Sequence, residues 1–306
     1  MSFTPAVAQT LRQALATVVV VPVTPLRANG RPDWAAYAAL TRRLIDGGIT
    51  VITPNGNTGE FYALSQAEAR QVIETAAAAS QGRAELLAGV GHDIATAVEA
   101  AGHARDHGAR MVMIHQLVHP YVSREGWIDY HAAIAGAVPD LGIVLYIRNE
   151  RITGADIAAL ADRAPNVIGV KYGLRDASTF AAVARDAGID RFTWLADAAE
   201  LTAPAYWACG ARGFTSGLAN VSPVLPLAML DALRANDFGQ AMKVWENARR
   251  FEELRAADAS ADNVSVVKEA LAQLGLCRAD VRPPSRPLPP RIKDEIRVIL
   301  ASWGLL

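Results

Sequence analysis

The chain has 306 residues, of which 51% are hydrophobic and 20% charged, and its formal net charge is −1. This composition is typical of a globular enzyme and excludes disordered and fibrous proteins. The absence of basic runs disfavours nucleic acid and anionic membrane surfaces as partners. No apolar run is long enough to span a bilayer, so we expect no membrane partner.

The two cysteines, Cys209 and Cys277, fit no metal-binding or redox spacing. We interpret both as small buried hydrophobes in a reducing compartment. The first apolar run, residues 18–21, is interrupted by Pro22 and Pro25, which is unlike a signal peptide. We therefore expect a cytoplasmic protein.

Short apolar runs alternate with longer segments of helical period, a pattern that predicts βα units and a parallel sheet. The candidate strands begin at Thr17, Thr50, Glu85, Arg110, Gly142, Val167, Arg191 and Arg212. They are apolar nearly throughout, as strands covered on both faces are. Eight such units close a (β/α)8 barrel, and the missing GxGxxG after the first strand disfavours a doubly wound sheet.

The intervening segments carry helix signals at their ends. The segment 34–48 has apolar residues at helical spacing and stops at Gly47 and Gly48. Ser65 and Glu68 stand in capping-box register, which predicts a helix starting near Gln66. Two more helices are expected to begin at Ser123 and Thr153.

The C-terminal part, from about residue 225 onward, is predicted to be mainly helical. Helices are predicted near 225–233, 238–256 and 264–274, followed by a proline-rich connector at 282–290 that is expected to be non-helical. A last amphipathic helix is predicted at about 293–303. We interpret residues 1–224 as the catalytic barrel and residues 225–306 as a helical extension packed on it.

Reactive groups of a (β/α)8 barrel stand at the C-terminal ends of its strands and on the loops that follow. That rule selects Thr24, the loop 56–60, His92, Asp93, the segments 115–121 and 146–151, Lys171, Asp197, Thr215 and Ser216. The loop GNTGE has glycines on both sides of Asn57 and Thr58, which favours an anion site. The predicted cap at Ser65 sets this loop off the helix end, which suits a small carboxylate better than a pyrophosphate.

Lys171 is the most informative of these residues. Only four of the 30 basic residues are lysines, and Lys171 is the one that precedes the C-terminal helices, inside the apolar run VIGVKY. Burial disfavours the charged form of an amine, and a neutral amine attacks ketones to form a Schiff base. A lysine that reaches solvent or forms a structural ion pair is the alternative interpretation.

Metal chemistry has weaker support. Asp93, His115 and His119 are the candidate ligands, but the carboxylates expected on successive strand ends are missing. We expect no metal site.

With GNTGE after the second strand, Tyr146 ending the fifth and Lys171 in the sixth, the chain resembles the dihydrodipicolinate synthase and N-acetylneuraminate lyase family of class I pyruvate-type lyases. The segments GEFYALS and GARGFTSGLANVSP strengthen the resemblance, which runs nearly end to end. It implies a (β/α)8 barrel, no cofactor beyond a covalent Lys171–substrate imine, a small 2-oxo acid as partner, and a homotetramer.

The resemblance also implies roles for single residues. Lys171 would form the Schiff base, Tyr146 would move protons at the reacting carbons, and Thr58 would hold the substrate carboxylate. The remaining residues expected to bind substrate are Asn57, Gly59, Arg148, Arg151, Thr215 and Ser216. Arg151 lies five residues after the tyrosine, where the family places a carboxylate-binding arginine, and either Arg148 or Arg151 suits a second carboxylate.

Two departures bear on the substrate. The synthases of the family read GTTGE and use a tyrosine pair in PYYN for a hydroxyl relay, whereas this chain has Asn57 and, in HPYV, Val122. An amide is a poor proton shuttle, which disfavours the synthase reaction unless Tyr121 substitutes. YIR at 146–148 and KYGLRD at 171–176 are nearer to the 5-dehydro-4-deoxyglucarate dehydratases, although Ile147 and Tyr172 depart from that pattern.

The sequence therefore predicts a Schiff-base lyase, a dehydratase or an aldolase, acting on a 2-keto-3-deoxy sugar acid or a related 2-oxo acid. The alternatives are 4-hydroxy-tetrahydrodipicolinate synthase, a non-catalytic barrel that binds a 2-oxo acid, and a phosphate-binding barrel that uses Gly213 and Gly217 near Arg212.

Overall fold

The computed structural model describes residues 3–306. Eight parallel strands pair in chain order, and β1 closes the barrel by pairing with β8. The strands are β1 Val18–Val20, β2 Val51–Ile52, β3 Glu85–Val90, β4 Met111–Ile114, β5 Gly142–Ile147, β6 Val167–Tyr172, β7 Thr193–Ala196 and β8 Gly213–Ser216. The predicted (β/α)8 barrel is confirmed.

The helices are α1 Pro5–Leu15, α2 Trp34–Asp46, α3 Gln66–Ser80, α4 Ile94–Asp106, α5 Arg124–Ala137, α6 Gly154–Arg163, α7 Ala177–Ala187, α8 Ala199–Ala208, α9 Val224–Arg234, α10 Phe238–Ser260, α11 Asn263–Gln273 and α12 Pro290–Ser302. Ser65 caps α3 in the predicted capping box with Glu68. Ser123 and Thr153 cap α5 and α6 as predicted.

One prediction on the C-terminal connector is wrong at its edge. Residues 282–290 were expected to be non-helical, but Pro290 is the first residue of α12. Proline is accepted at the first helical position because the N–H that it lacks would have no partner inside the helix. The last helix therefore begins three residues earlier than the predicted Lys293.

Three apolar clusters form the core. The largest fills the layer between the strands and the outer helices. A second lies inside the barrel, where Leu11 and Leu15 of α1 cover the inward-facing strand residues. The third joins α10, α11 and α12. Helix α1, which the sequence did not single out, therefore contributes two buried side chains to the core of the barrel.

Helix α9 follows β8 and contacts β1 and α8, so it occupies the place of the eighth barrel helix. The sequence placed this segment in the extension 225–306, whereas its contacts place it with the barrel. Helices α10–α12 form the remaining extension, and α10 packs on α8 and α9. Within the described residues, no helix combines the length and apolar character needed to cross a membrane.

A buried ion pair links the loop after β2 to this extension. Lys268 of α11 donates a hydrogen bond to Glu60 Oε2 and another to the Asp280 carbonyl, the latter 2.9 Å long. The backbone N–H of Arg282 donates to Glu60 Oε1 at 2.8 Å. Lys268 is fully buried and Glu60 nearly so. Glu60 of GNTGE therefore anchors the loop.

A second buried cluster joins β8, α8 and α10. Ser216 Oγ donates to Glu200 Oε1 at 2.6 Å, while no protein group within the described chain bonds Glu200 Oε2. Arg255 Nη1 donates to both carboxylate oxygens of Glu252. Burial, reinforced by the negative charge of Glu252, raises the pKa of Glu200 to about 8. Glu200 therefore holds its proton to a higher pH than an exposed carboxyl group does.

The Glu60–Lys268 pair predicts a large effect on stability. We expect Lys268→Met to lower the free energy of unfolding by about 3–5 kcal/mol, because it leaves Glu60 buried without its cation. Urea unfolding measures the change, with Lys243→Met as a matched control because Lys243 is exposed on α10. Equal unfolding midpoints for the two variants would contradict the anchoring role.

Glu200 predicts a pH dependence of stability. Folded Glu200 keeps its proton up to about pH 8, whereas the unfolded side chain loses it near its ordinary pKa of 4.5. Stability from this group is therefore present below that ordinary pKa and is lost as pH rises towards 8. Replacing Glu200 by Gln should flatten the fall of the melting temperature between pH 6 and pH 8. The exposed Glu246→Gln is the control, and parallel profiles for wild type and Glu200→Gln would refute the prediction.

Candidate active site

A cavity opens at the C-terminal ends of the barrel strands. Seven of the nine predicted site residues line it: Asn57, Thr58, Tyr146, Arg148, Lys171, Thr215 and Ser216. The other two, Gly59 and Arg151, do not. Gly59 belongs to the same loop as Asn57 and Thr58, and its carbonyl accepts a hydrogen bond from Thr24 Oγ1 at 2.8 Å. Arg151 is exposed on the loop after β5.

Strand register places Tyr146 beside Lys171. The two residues are direct partners on β5 and β6, and both are buried. Lys171 Nζ stands 4.0 Å from the centre of the Tyr146 ring. The apolar strand β6 therefore places the Lys171 amine at the floor of the cavity, against the face of the Tyr146 ring.

Asp197 brings these two residues together through its carboxylate. Its Oδ1 is 3.3 Å from Lys171 Nζ, and its Oδ2 accepts a hydrogen bond of 2.6 Å from the Tyr146 hydroxyl. Thr215 Oγ1 donates to Oδ1 at 3.1 Å. The rule of strand ends selected Asp197 from the sequence but assigned it no role. An acid directly after an apolar strand was the available signal.

Burial controls the protonation of this group. It lowers the pKa of Lys171, and the facing Asp197 carboxylate opposes the shift. Burial and Asp197 together raise the pKa of Tyr146 well above its usual value. Burial alone would raise the pKa of Asp197, but Lys171 and the Tyr146 hydrogen bond outweigh it and hold that pKa below its usual value.

The loop after β2 approaches the chain that follows β1 closely. A Cβ on Gly56 would lie 2.4 Å from Val21 Cγ1, and a Cβ on Gly59 would lie 2.9 Å from the Pro22 carbonyl oxygen. Only glycine therefore fits at either position without displacement of the neighbouring chain. This close packing fixes the 3₁₀ turn Asn57–Gly59 against the cavity wall.

The turn leaves polar groups unused. It is closed by hydrogen bonds from Gly59 N–H to Gly56 O and from Glu60 N–H to Asn57 O, neither of which involves the N–H of Asn57 or Thr58. Asn57 Oδ1 is buried, and no protein donor among residues 3–306 reaches it. A small carboxylate accepts from such N–H groups, and the amide of Asn57 suits a hydroxyl or water.

Residues of the C-terminal extension complete the cavity. Helix α10 breaks at Ala257 and Asp258, whose dihedral angles are non-helical. Beyond the break, Ser260 and Asn263 line the cavity together with Arg255. Asn263 Oδ1 accepts hydrogen bonds from Arg255 Nε and Nη2 at 3.0 and 2.7 Å. The sequence did not identify these residues, because they lie far along the chain from the strands.

Besides Arg255, two loop arginines line the cavity, Arg148 after β5 and Arg175 after β6. Arg175 Nη2 donates to Ser260 Oγ at 3.0 Å. With Arg151 outside, Arg148 and Arg175 are the loop arginines available to a second acidic group of a ligand. Arg175 was not among the predicted site residues.

Asp93, His115 and His119, the weaker metal candidates, do not form a cluster of ligand atoms within residues 3–306. The ring of His115 is buried with Nε2 2.7 Å from the Asn55 carbonyl, and burial lowers its pKa to about 3. Asp93 caps α4. Elsewhere in residues 3–306, the ligand atoms of Glu74 on α3, His103 on α4 and His107 directly after α4 lie within 4.8 Å of one another. None of these three residues lines the cavity.

Relatives of known description match more than nine-tenths of the chain. The probable 5-dehydro-4-deoxyglucarate dehydratase of Delftia acidovorans is 29% identical over 287 residues, with 92% of this chain and 94% of the relative covered. The 4-hydroxy-tetrahydrodipicolinate synthase of Phenylobacterium zucineum is 31% identical over 291 residues, covering 93% and 96%.

Solved structures agree with the fold. Dihydrodipicolinate synthase from Bacillus clausii superposes with a TM-score of 0.93 at 38% identity, covering 96% of this chain and 99% of that chain. A prophage protein of E. coli K12 in complex with pyruvate, from the dihydrodipicolinic acid synthase family, superposes at 0.86 with 25% identity, covering 95% and 99%.

The model of the dihydrodipicolinate synthetase family matches residues 14–302. Together with the relatives above, this match confirms the family that GNTGE, Tyr146 and Lys171 predicted. The chain therefore belongs to the dihydrodipicolinate synthetase family of lyases.

Proposed function

We propose that this chain is a class I lyase that joins Lys171 to the ketone of a 2-keto-3-deoxy sugar acid as a Schiff base and then eliminates water. The observation that carries the proposal is the buried Lys171 amine, which opens on a polar cavity between the Tyr146 ring and the Asp197 carboxylate. No cofactor is needed, because the protonated imine is itself the electron sink.

The substrate carboxylate lies against the 3₁₀ turn, where the N–H groups of Asn57 and Thr58 and the Thr58 hydroxyl serve as donors. Thr58 is nearly buried and lines the cavity that contains Lys171. The C2 ketone next to the carboxylate then faces the amine. The distal acidic or hydroxyl groups lie towards Arg148 and Arg175, which suits a substrate longer than pyruvate.

Imine formation acidifies C3, and Tyr146 relays the C3 proton through its hydroxyl. Loss of the C4 hydroxyl as water gives the dehydratase reaction, whereas cleavage of the C3–C4 bond gives an aldolase. The relatives named probable 5-dehydro-4-deoxyglucarate dehydratase support the elimination. Both reactions pass through the same imine on Lys171.

The synthase reaction is the second candidate, since relatives and solved structures with 31–38% identity are named as synthases. That reaction in the family relies on the hydroxyl relay that Asn57 and Val122 interrupt. Tyr121 is 86% exposed and does not line the cavity of the single chain. The dehydratase or aldolase reaction is therefore preferred.

A phosphate-binding barrel and a non-catalytic binding barrel both have little support. A phosphate site after β7 and β8 would need free cations. Arg255 lies against Gly217, but it is paired with Glu252, and Asp197 adds a second carboxylate there. Arg212 instead donates to backbone carbonyls of Trp207 and Ala211. A non-catalytic barrel that binds a 2-oxo acid would have no need for a buried amine beside Tyr146.

We also propose a homotetramer. Val118 and Tyr121 on the loop after β4 are 68% and 86% exposed, and large apolar side chains at such exposure favour burial against another copy. Light scattering on the purified chain tests the assembly. The cytoplasmic location stays a prediction, consistent with the two free cysteines.

Schiff-base formation predicts covalent trapping. With pyruvate and borohydride, the wild type should gain the mass of one reduced pyruvate on Lys171, because reduction makes the imine permanent. Lys171→Ala should gain none and should lose at least about 10³-fold in turnover, while the exposed Lys243→Ala should behave as wild type. Peptide mass spectrometry locates the adduct. Trapping of Lys171→Ala equal to that of wild type would end the proposal.

The reaction type predicts the products. A panel of 2-keto-3-deoxy sugar acids, analysed by mass spectrometry, should yield products that have lost one water, with no pyruvate released. Pyruvate release would assign the aldolase. Condensation of pyruvate with aspartate semialdehyde at a comparable kcat/KM would favour the synthase and contradict the preference for the sugar acid.

A further inference from the structure

The Asp197 carboxylate contacts both residues of the proposed chemistry. Its Oδ1 faces Lys171 Nζ at 3.3 Å, and its Oδ2 accepts from the Tyr146 hydroxyl at 2.6 Å. The third partner, Thr215, donates to Oδ1 from β8. All these groups belong to one chain, and they are held by neighbouring strands of the barrel.

The backbone around Asp197 is built to hold this geometry. The next two residues, Ala198 and Ala199, have φ angles of 66° and 51°, a region that alanine rarely adopts. Thr202 Oγ1 donates to the Asp197 carbonyl at 2.8 Å. A Cβ on Gly173 would lie 2.8 Å from Asp197 Oδ2, so the glycine leaves room for the carboxylate. Strained backbone of this kind costs energy and clusters at functional sites.

Tyr146 does not remain deprotonated in this environment. Burial and the neighbouring Asp197 raise its pKa well above the usual value, so a free phenolate does not form beside the carboxylate. Its hydroxyl hydrogen already points at Asp197 Oδ2. A proton that reaches the phenol oxygen must therefore pass the phenol's own proton to Asp197, and a proton returned to substrate follows the reverse path.

We propose that Asp197 is the terminal acid and base of the reaction, reached directly from Lys171 and through Tyr146. The proposal rests on the Schiff-base function proposed above. Within one chain, Tyr146 and Asp197 take the place of the hydroxyl relay that Asn57 and Val122 interrupt.

The proton balance of imine formation is complete. The Lys171 ammonium gives one proton to Asp197 Oδ1, and the amine lone pair then forms the C2–N bond. Asp197 returns that proton through Tyr146 to the former ketone oxygen, which takes a second proton from the nitrogen and leaves as water. The third ammonium proton stays on the imine nitrogen, and the ionised Asp197 faces the resulting cation.

Elimination uses the same path. The C3–H bond breaks, its electrons form the C2–C3 double bond, and the imine π electrons move to nitrogen. The C3 proton passes through Tyr146 to Asp197. When the C4–O bond breaks, the enamine electrons form the C3–C4 double bond and restore the imine. The stored proton returns to the departing hydroxyl, which leaves as water.

The test is proton exchange at C3 of pyruvate in deuterium oxide, followed by NMR, because it reports the C3 step without the full substrate. We expect Asp197→Asn to slow exchange by about 100-fold or more, the usual range for loss of an acid–base group. Asp190→Asn, the same change at an exposed position, should exchange as wild type. Unfolding midpoints confirm that both variants are folded.

Chemical rescue separates a proton-transfer role from a structural one. Added formate should restore exchange to Asp197→Ala in proportion to its concentration, because a small carboxylate fits the space left by the side chain. Lys171→Ala should not respond to formate. Exchange in Asp197→Asn within a few-fold of wild type, or no response of Asp197→Ala to formate, would overturn the proposal.

A second variant applies if the Asp197 substitutions do not fold. Thr215→Val removes one donor to Oδ1, so the acidic limb of the exchange-versus-pH profile should move to higher pH. The Thr215→Val variant leaves the charged and titratable groups around Asp197 unchanged. These groups are Lys171, Tyr146, Arg148, Tyr206 and, beyond Lys171, Arg255. An unmoved limb would contradict the role of Asp197.

The two proposals fail in different ways. Wild-type protein that is not trapped on Lys171 by pyruvate and borohydride would refute the Schiff-base function itself. Normal trapping of wild type with undiminished exchange in Asp197→Asn would refute only the role of Asp197.

Discussion

Closure of the parallel sheet between β1 and β8 is the constraint on which the site depends. Because all strands run the same way, their C-terminal ends meet at one rim. The register then pairs Tyr146 with Lys171 and Lys171 with Leu195, so that Asp197, two residues further on, reaches both. A slip of one residue would turn a side chain to the other face of its strand.

Burial of a lysine does not by itself identify chemistry in this chain. Lys171 and Lys268 are both buried and both face a carboxylate. The surroundings differ, since Lys268 is closed in by Glu60 and the Asp280 carbonyl, whereas Lys171 opens on a cavity. The first arrangement anchors the GNTGE loop to the extension. The second leaves an amine accessible to a ketone.

The C-terminal extension contributes residues to the cavity and also stabilises the fold. The break in α10 turns the chain so that Asn263 reaches the cavity and holds Arg255. The same extension anchors the loop after β2 through Lys268. One packed unit of α10 and α11 therefore supplies the Arg255–Asn263 side of the cavity and anchors the loop that would bind the substrate carboxylate.

Local patterns in the sequence were sufficient for the barrel, the helix caps at Ser65, Ser123 and Thr153, and seven residues of the cavity, because period, capping and strand ends are short-range signals. They missed α1, the partners of Glu60, and the contacts of Asp197, Arg175 and Arg255, and they included Gly59 and Arg151, which do not line the cavity. These depend on contacts between distant segments, such as the hydrogen bond from Tyr146 to Asp197. Spacing along the chain carries no record of such contacts, so only the packed barrel and its extension determined them.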